Sequence, residues 1–276
     1  MLYTQRIDSL EIPDLVPYRT LRRTADHEKN GIFVAEGEKV VARLMESELH
    51  VVSVLITEEW LTIYRDRLES RSDAIEVFVA DKTLLSSIVG FHLHQGIMAV
   101  ARLPEPREIE TMATQSAKPL LFVAVDGITN SENLGVLIRN SVAFGVQALI
   151  VGETSVNPYL RRSVRNSMGT IFKLPVVSSP DLAQTILDLR NRFSMAIIAA
   201  HPHAERHTSD ASCFRKDCCI VFGSEGCGIS PKVLEACTDS VAIPMAAEVD
   251  SLNVSSASAV FLFEVMRQRK KAEPGA

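Results

Sequence analysis

The residues best able to do chemistry fall in three stretches, each beginning where an apolar run ends. The first is Asp126–Arg139, DGITNSENLGVLIR. Asn133 stands where a helix pattern begins, so capping alone would explain it. Gly135, in what would be the first turn, costs helix stability and suits close approach of something to the backbone. Arg139 lies in the apolar run VLIRNSVAF. A cation there calls for a partner, and a structural carboxylate and an anionic ligand both remain open. In the second stretch, Cys219–Phe222 breaks into the glycine-rich loop Gly223–Gly228, which carries Glu225. No lysine follows as in a phosphate loop, and no G-x-G-x-x-G follows a strand to suit a dinucleotide. Here a tight turn competes with a ligand as the reason for the glycines. In the third, Val241–Pro244 breaks into Met245–Asp250, followed by Ser251, Leu252 and Asn253 at the head of a long apolar helix pattern. Ser251 or Asn253 would cap that helix.

Between the first two stretches the charge changes. Residues 154–180 contain no acid and carry Arg161, Arg162, Arg165 and Lys173, in a chain whose net charge is −5. Such a tract suits a polyanion; a dimer interface that pairs with acids is the competing account. The five cysteines, Cys213, Cys218, Cys219, Cys227 and Cys237, lie near His201, His203 and His207. Without a C-x-x-C pair, and with Cys218 and Cys219 in an apolar strand pattern, they read as buried small hydrophobes, and no metal is expected.

The elements that must position these residues are those of an α/β protein. The 276 residues, 46% hydrophobic and 23% charged, suit a globular chain of one large or two modest domains. No apolar run reaches the ~20 residues of a membrane span. The start of the chain lacks the apolar core of a signal peptide, so a cytoplasmic location is the default expectation. Residues 1–103 read as a small α/β unit. Its opening helix, 13–29, carries Arg19, Arg22, Arg23 and Lys29 on its polar side, either as a solvated face or as phosphate contacts. Residues 104–119, polar and proline-bounded, read as a linker. From Leu120 to the end, apolar strand runs alternate with helix patterns, which implies a mostly parallel sheet covered on both faces. Ligands bind such sheets at the carboxyl ends of the strands, where all three stretches lie.

Taken in order and spacing, the three stretches resemble the motifs of the SpoU (TrmH) branch of the SPOUT RNA methyltransferases. Asn133, Gly135, Arg139 and Phe144-Gly145 match the first motif. Gly223-Ser224-Glu225 and Gly228 match the second, and Ile243-Pro244-Met245 with Ser251-Leu252-Asn253-Val254-Ser255 the third. More loosely, Phe33–Gly37 and His94-Gln95-Gly96 resemble pieces of the small α/β RNA-binding domain that often precedes that catalytic domain.

The resemblance implies a parallel-sheet domain, 120–276, tied in a deep trefoil knot, and a homodimer formed through it. It implies S-adenosylmethionine as cofactor, held by Ala200, Gly223, Ile243, Met245 and Leu252. The activity implied is methylation of a ribose 2′-hydroxyl in structured RNA, with ribosomal favoured over transfer RNA. A catalytically silent RNA-binding protein of this fold and an RNA base methyltransferase are the alternatives. Arg139 would act on the hydroxyl, by orienting it and stabilising charge or by taking its proton. Asn133, Glu225, Ser251 and Asn253 would position the parts. Arg161, Arg162, Arg165, Arg22, Arg23 and Lys29 would meet the RNA. Residues 251–258, entering the knot, should be buried and small.

Overall fold

A computed structural model describes residues 3–89, 96–210, 212–246 and 248–272. His94 and Gln95 of the N-terminal match, and Ala247 of the third loop, lie outside the described residues. The chain divides into two compact units. One is Met1–Glu105 with Tyr159–Phe172, and the other Pro106–Pro158 with Lys173–Ala276.

The first unit opens with β1 (Tyr3–Arg6), α1 (Val16–Arg19), α2 (Thr24–Lys29) and β2 (Ile32–Glu36). It continues through α3 (Glu38–Met45), β3 (Val51–Ile56), α4 (Glu58–Glu69), β4 (Glu76–Val79), α5 (Lys82–Val89) and β5 (Ile97–Arg102). The sheet order is β1-β4-β3-β5-β2, with β5 antiparallel to both its neighbours and the other pairs parallel. Helix α4 starts where the Thr57 hydroxyl accepts the N–H of Trp60 at 3.5 Å. The single helix expected over 13–29 is instead a 3₁₀ turn at Pro13–Leu15 followed by α1 and α2. The break at Thr20 has a local cause. Its hydroxyl donates back to the Val16 carbonyl at 2.8 Å and lies 3.1 Å from the His27 ring, a side-chain alternative to the helix ladder. Tyr18 then points into the core, where its hydroxyl meets Ser53 Oγ at 2.9 Å.

In the second unit, Ile109–Gln115 form α6, inside the stretch expected to be linker. Its Met112 and Ala113 are buried in the unit's core, and Glu110 pairs with Arg192. One apolar turn was enough to fold a segment whose ends look like a spacer. Then come β6 (Leu121–Asp126), α7 (Ser131–Ala143) and β7 (Ala148–Val151). Helix α8 (Arg161–Asn166) belongs to the first unit, and packs there against β2. The second unit resumes with β8 (Val176–Ser178), α9 (Leu182–Phe193), β9 (Ala196–Ala200) and β10 (Arg206–His207). It ends with β11 (Cys218–Gly223), α10 (Pro231–Ala236), β12 (Asp239–Ala242) and α11 (Val254–Ala272).

The seven strands of this unit run in the order β10-β12-β9-β11-β6-β7-β8, every pair parallel. Helices α6, α9 and α10 cover one face, over Phe122, Ala124, Ile150, Ile197, Cys219 and Val221. Helix α11 covers the other, with Phe261 edge-on to Phe222 at 5.7 Å, and α7 packs beside it. After β6 the chain leaves through α7 towards β7. After the neighbouring β11 it leaves through α10 on the opposite face towards β12. Those two adjacent strand ends form the switch point at which open α/β sheets bind ligands.

Candidate functional site

Three loops meet at this switch point, and each is shaped by its own sequence. Helix α7 is capped by Asn130, not Asn133: Asn130 Oδ1 accepts the N–H groups of Glu132 and Asn133 at 2.9 and 3.3 Å. The stretch offers two asparagines three residues apart, and the earlier one takes the cap. Asn133 is thereby left free for tertiary contact. The helix stops at Gly145, whose φ of 78° permits the closing bonds Val146 N–H to Ser141 O at 2.9 Å and Gly145 N–H to Val142 O at 3.3 Å.

In the glycine-rich loop, Ser224 and Gly228 exchange backbone hydrogen bonds at 3.0 Å each. A Cβ on Gly223 would lie 2.2 Å from the Gly228 carbonyl carbon, so the loop's own tight return demands that glycine. Behind it, the buried Asp126 at the end of β6 accepts the N–H of Ser230 at 2.7 Å and so anchors the start of α10. Spacing gave no sign of this role for Asp126.

In the third loop, Asn253 does two things. Its Oδ1 accepts the Ser255 N–H at 2.9 Å and caps α11. Its Nδ2 donates to Asn133 Oδ1 at 3.2 Å and to Glu225 Oε1. One residue from each stretch thus meets in a single hydrogen-bonded cluster. About two turns further along, Asn140, on the same face of α7 as Asn133, donates to the Ser255 carbonyl at 2.8 Å and Ser258 Oγ at 3.0 Å.

A cleft of about 250 Å³, near the low end of the size range of small-ligand sites, opens beside the cluster. Ala200, Gly223, Ile243, Met245 and Leu252, the five residues expected to hold a cofactor, all line it, and so do Glu225 and Ser251. His201, His203 and Asp250 line it as well. Asp250 belongs to the third stretch; the two histidines were not expected there, and the only hint was that they follow directly after the strand ending at Ala200. The cysteines of β11 take no part. Burial pushes the Cys218 thiol up to about 12 and that of Cys219 well above its ordinary value, so both are inert packing groups. Among the described residues no group of three or more His, Cys, Asp or Glu side chains is arranged to hold a metal.

Two expectations change. Arg139 is exposed and, among the described residues, makes no hydrogen bond or ion pair. It lies about 100° round α7 from Asn140, where the apolar run opens to solvent, so the helix supplies no structural carboxylate. Ser251, Leu252, Asn253 and Ser256 are also exposed, whereas Val254 and Ser258 are buried. Residues 251–253 form a loop that precedes α11, and only the helix face turned to the sheet is covered.

In the first unit, Glu36 binds Arg161 and, at 3.4 Å, Arg165. Part of the basic tract is therefore paired within the chain, and its acid is Glu36. Arg162 is exposed. Arg22, Arg23 and Lys29 are exposed, and their side chains have no partner among the described residues.

Residues 120–263 match the model of the SpoU rRNA Methylase family. The chain is 32% identical over 208 residues to the 23S rRNA (guanosine-2′-O-)-methyltransferase RlmB of Xanthomonas axonopodis pv. citri, covering 73% of this chain and 81% of that one. It is 35% identical over 183 residues to RlmB of Vibrio parahaemolyticus, covering 65% and 73%. The crystal structure of the SpoU methyltransferase AviRb from Streptomyces viridochromogenes in complex with AdoMet superposes with a TM-score of 0.82. It covers 95% of this chain and 100% of that one, at 23% identity.

Proposed function

This chain belongs to the SpoU rRNA methylase family, and on that premise we propose that it methylates ribose 2′-hydroxyls of ribosomal RNA. It is an RNA 2′-O-methyltransferase, with S-adenosylmethionine as its cofactor. The observation that carries the reading is the Asn253 side chain, which draws Asn133 and Glu225 together at the mouth of the cleft.

The cleft fits the cofactor. Ile243, Met245 and Leu252 offer an apolar wall for a flat ring, and Leu252, 39% exposed, is an apolar side chain waiting for cover. Glu225 and Asp250 supply carboxylates to a ligand that carries positive charge. Ala200, Gly223, Ile243, Met245 and Leu252 would hold it. Bound there, S-adenosylmethionine supplies the methyl group on a sulfonium, an electrophile that needs no further activation.

The chain's own task is to bring a ribose hydroxyl into line and manage its proton. Arg139, exposed and uncommitted, would orient the hydroxyl and stabilise the charge it develops. A guanidinium offers hydrogen-bond donors and no acceptor, which favours this role over taking the proton. Asn133, Glu225, Ser251 and Asn253 would fix the loops around it. Arg22, Arg23 and Lys29 would contact RNA phosphates, as would whatever charge Arg161, Arg162 and Arg165 retain beside Glu36.

We further infer a trefoil knot in this domain, a homodimer formed through it, an RNA-binding first unit and a cytoplasmic site of action. In favour of the knot, β12 lies between β9 and β10, inside the path that β9, β10 and β11 describe, and its chain then crosses back to α7. In favour of the dimer, α11 exposes Val260 and Phe263, the latter 48% exposed and 6.3 Å from the Phe144 ring, an apolar patch suited to a second copy.

The test is direct. Protein incubated with tritiated S-adenosylmethionine and ribosomal RNA should yield labelled 2′-O-methyl nucleosides after nuclease digestion. Label on a base would contradict the reading, and label only with transfer RNA would overturn the choice of RNA.

A further inference from the structure

Within the cofactor cleft, His201 is held in one tautomer. Its Nδ1 accepts the backbone N–H of His203 at 3.2 Å, so in the neutral ring the proton sits on Nε2. The imidazole is therefore a hydrogen-bond donor of fixed polarity in the lining of the cleft. The carboxylates of that lining are Glu225 and Asp250, and carboxylates only accept. A ligand whose amino-acid end carries both an ammonium and a carboxylate needs both kinds of partner. The two acids suit the ammonium. The carboxylate needs a donor, and the Nε2–H of His201 is oriented by the bond on the far side of its ring.

We propose that His201 Nε2–H binds the carboxylate of the cofactor's amino-acid end, with the His203 backbone N–H locking the ring for that task. The inference rests on the cofactor assignment made above. It makes His201 a recognition residue that discriminates amino-acid-bearing adenosyl compounds from truncated ones.

Two substitutions separate this role from a purely structural one. His201→Asn places an amide oxygen near the position of Nδ1, so it can still accept the His203 N–H while the far donor is lost. His201→Gln places an amide N–H near the position of Nε2 and keeps that donor. Calorimetry on the cofactor-free, full-length protein would use S-adenosylhomocysteine and 5′-methylthioadenosine, which lacks the amino-acid end. H201N should weaken S-adenosylhomocysteine about tenfold, as loss of a hydrogen bond to a charged group implies. It should leave methylthioadenosine within about twofold, and H201Q should bind both within about threefold of wild type. Wild-type affinity in H201N, equal weakening of both ligands, or loss in H201Q with retention in H201N would overturn the proposal. A wild-type protein that binds neither ligand would instead overturn the cofactor assignment.

Discussion

The side-chain nitrogen of Asn253 donates to Oδ1 of Asn133 across 3.2 Å, and the same nitrogen reaches the carboxylate of Glu225. The two asparagines are 120 positions apart in sequence. Their contact turns three separate loops into one site.

Asn253 has a second duty as the cap of α11, and the two can be separated. Asn253→Ser keeps a capping oxygen but cannot span to Asn133 and Glu225. Its stability in urea unfolding should fall by no more than about 0.5 kcal/mol, since serine caps about as well as asparagine. Methyl transfer should fall about 100-fold, the cost expected when a reacting group is displaced by about 1 Å. Equal activity in the serine variant would show that the cap alone matters.

The glycine-rich loop makes a sharper structural prediction. At Gly223 a methyl group would sit 2.2 Å from backbone, whereas at Gly226 nothing lies within 4 Å. Gly223→Ala should destabilise the protein by about 1–3 kcal/mol, as overpacking does. Gly226→Ala should unfold within about 0.5 kcal/mol of wild type. Matching denaturation midpoints for the two variants would contradict the tight return described between Ser224 and Gly228.

The cations divide by what they already hold. Arg22 and Arg23 are uncommitted, while Arg161 is held by Glu36. Arg22→Ala and Arg23→Ala should each lower RNA affinity and reduce the slope of log affinity against log salt by roughly 0.7–0.9 per lost phosphate contact. Melting temperature and cofactor affinity should stay unchanged. Arg161→Ala should lower the melting temperature, because it strips the partly buried Glu36 carboxylate of its main partner. Unaltered salt slopes in the first two variants would remove the turn between α1 and α2 from the RNA surface.

Much of the site was legible because its residues are unusual for where they stand. A glycine in the first turns of a helix, a cation in an apolar run and a Ser-Leu-Asn before a helix all mark strand ends of a parallel sheet. Which asparagine caps α7 was not legible, since Asn130 and Asn133 are equally good caps and only Asn253 decides between them. Strands β1 and β10 were not legible because each is short and exposed, with no apolar alternation, and exists by pairing to β4 and β12. Helix α6 was not legible for the opposite reason: its polar neighbours hid one buried turn. His201 and His203 carried no motif, and only the placement of β9 beside β11 brings them to the cleft.

The central claim is that Arg139 serves the RNA hydroxyl and not the cofactor. Among the described residues it has no partner, and it is absent from the cleft lining. The deciding measurement pairs calorimetry of S-adenosylhomocysteine binding with single-turnover methyl transfer for Arg139→Ala. The account predicts cofactor affinity within about twofold of wild type and a transfer rate reduced at least about 1000-fold, roughly 4 kcal/mol of lost transition-state stabilisation. Transfer at the wild-type rate, or loss of cofactor binding in step with activity, would contradict it.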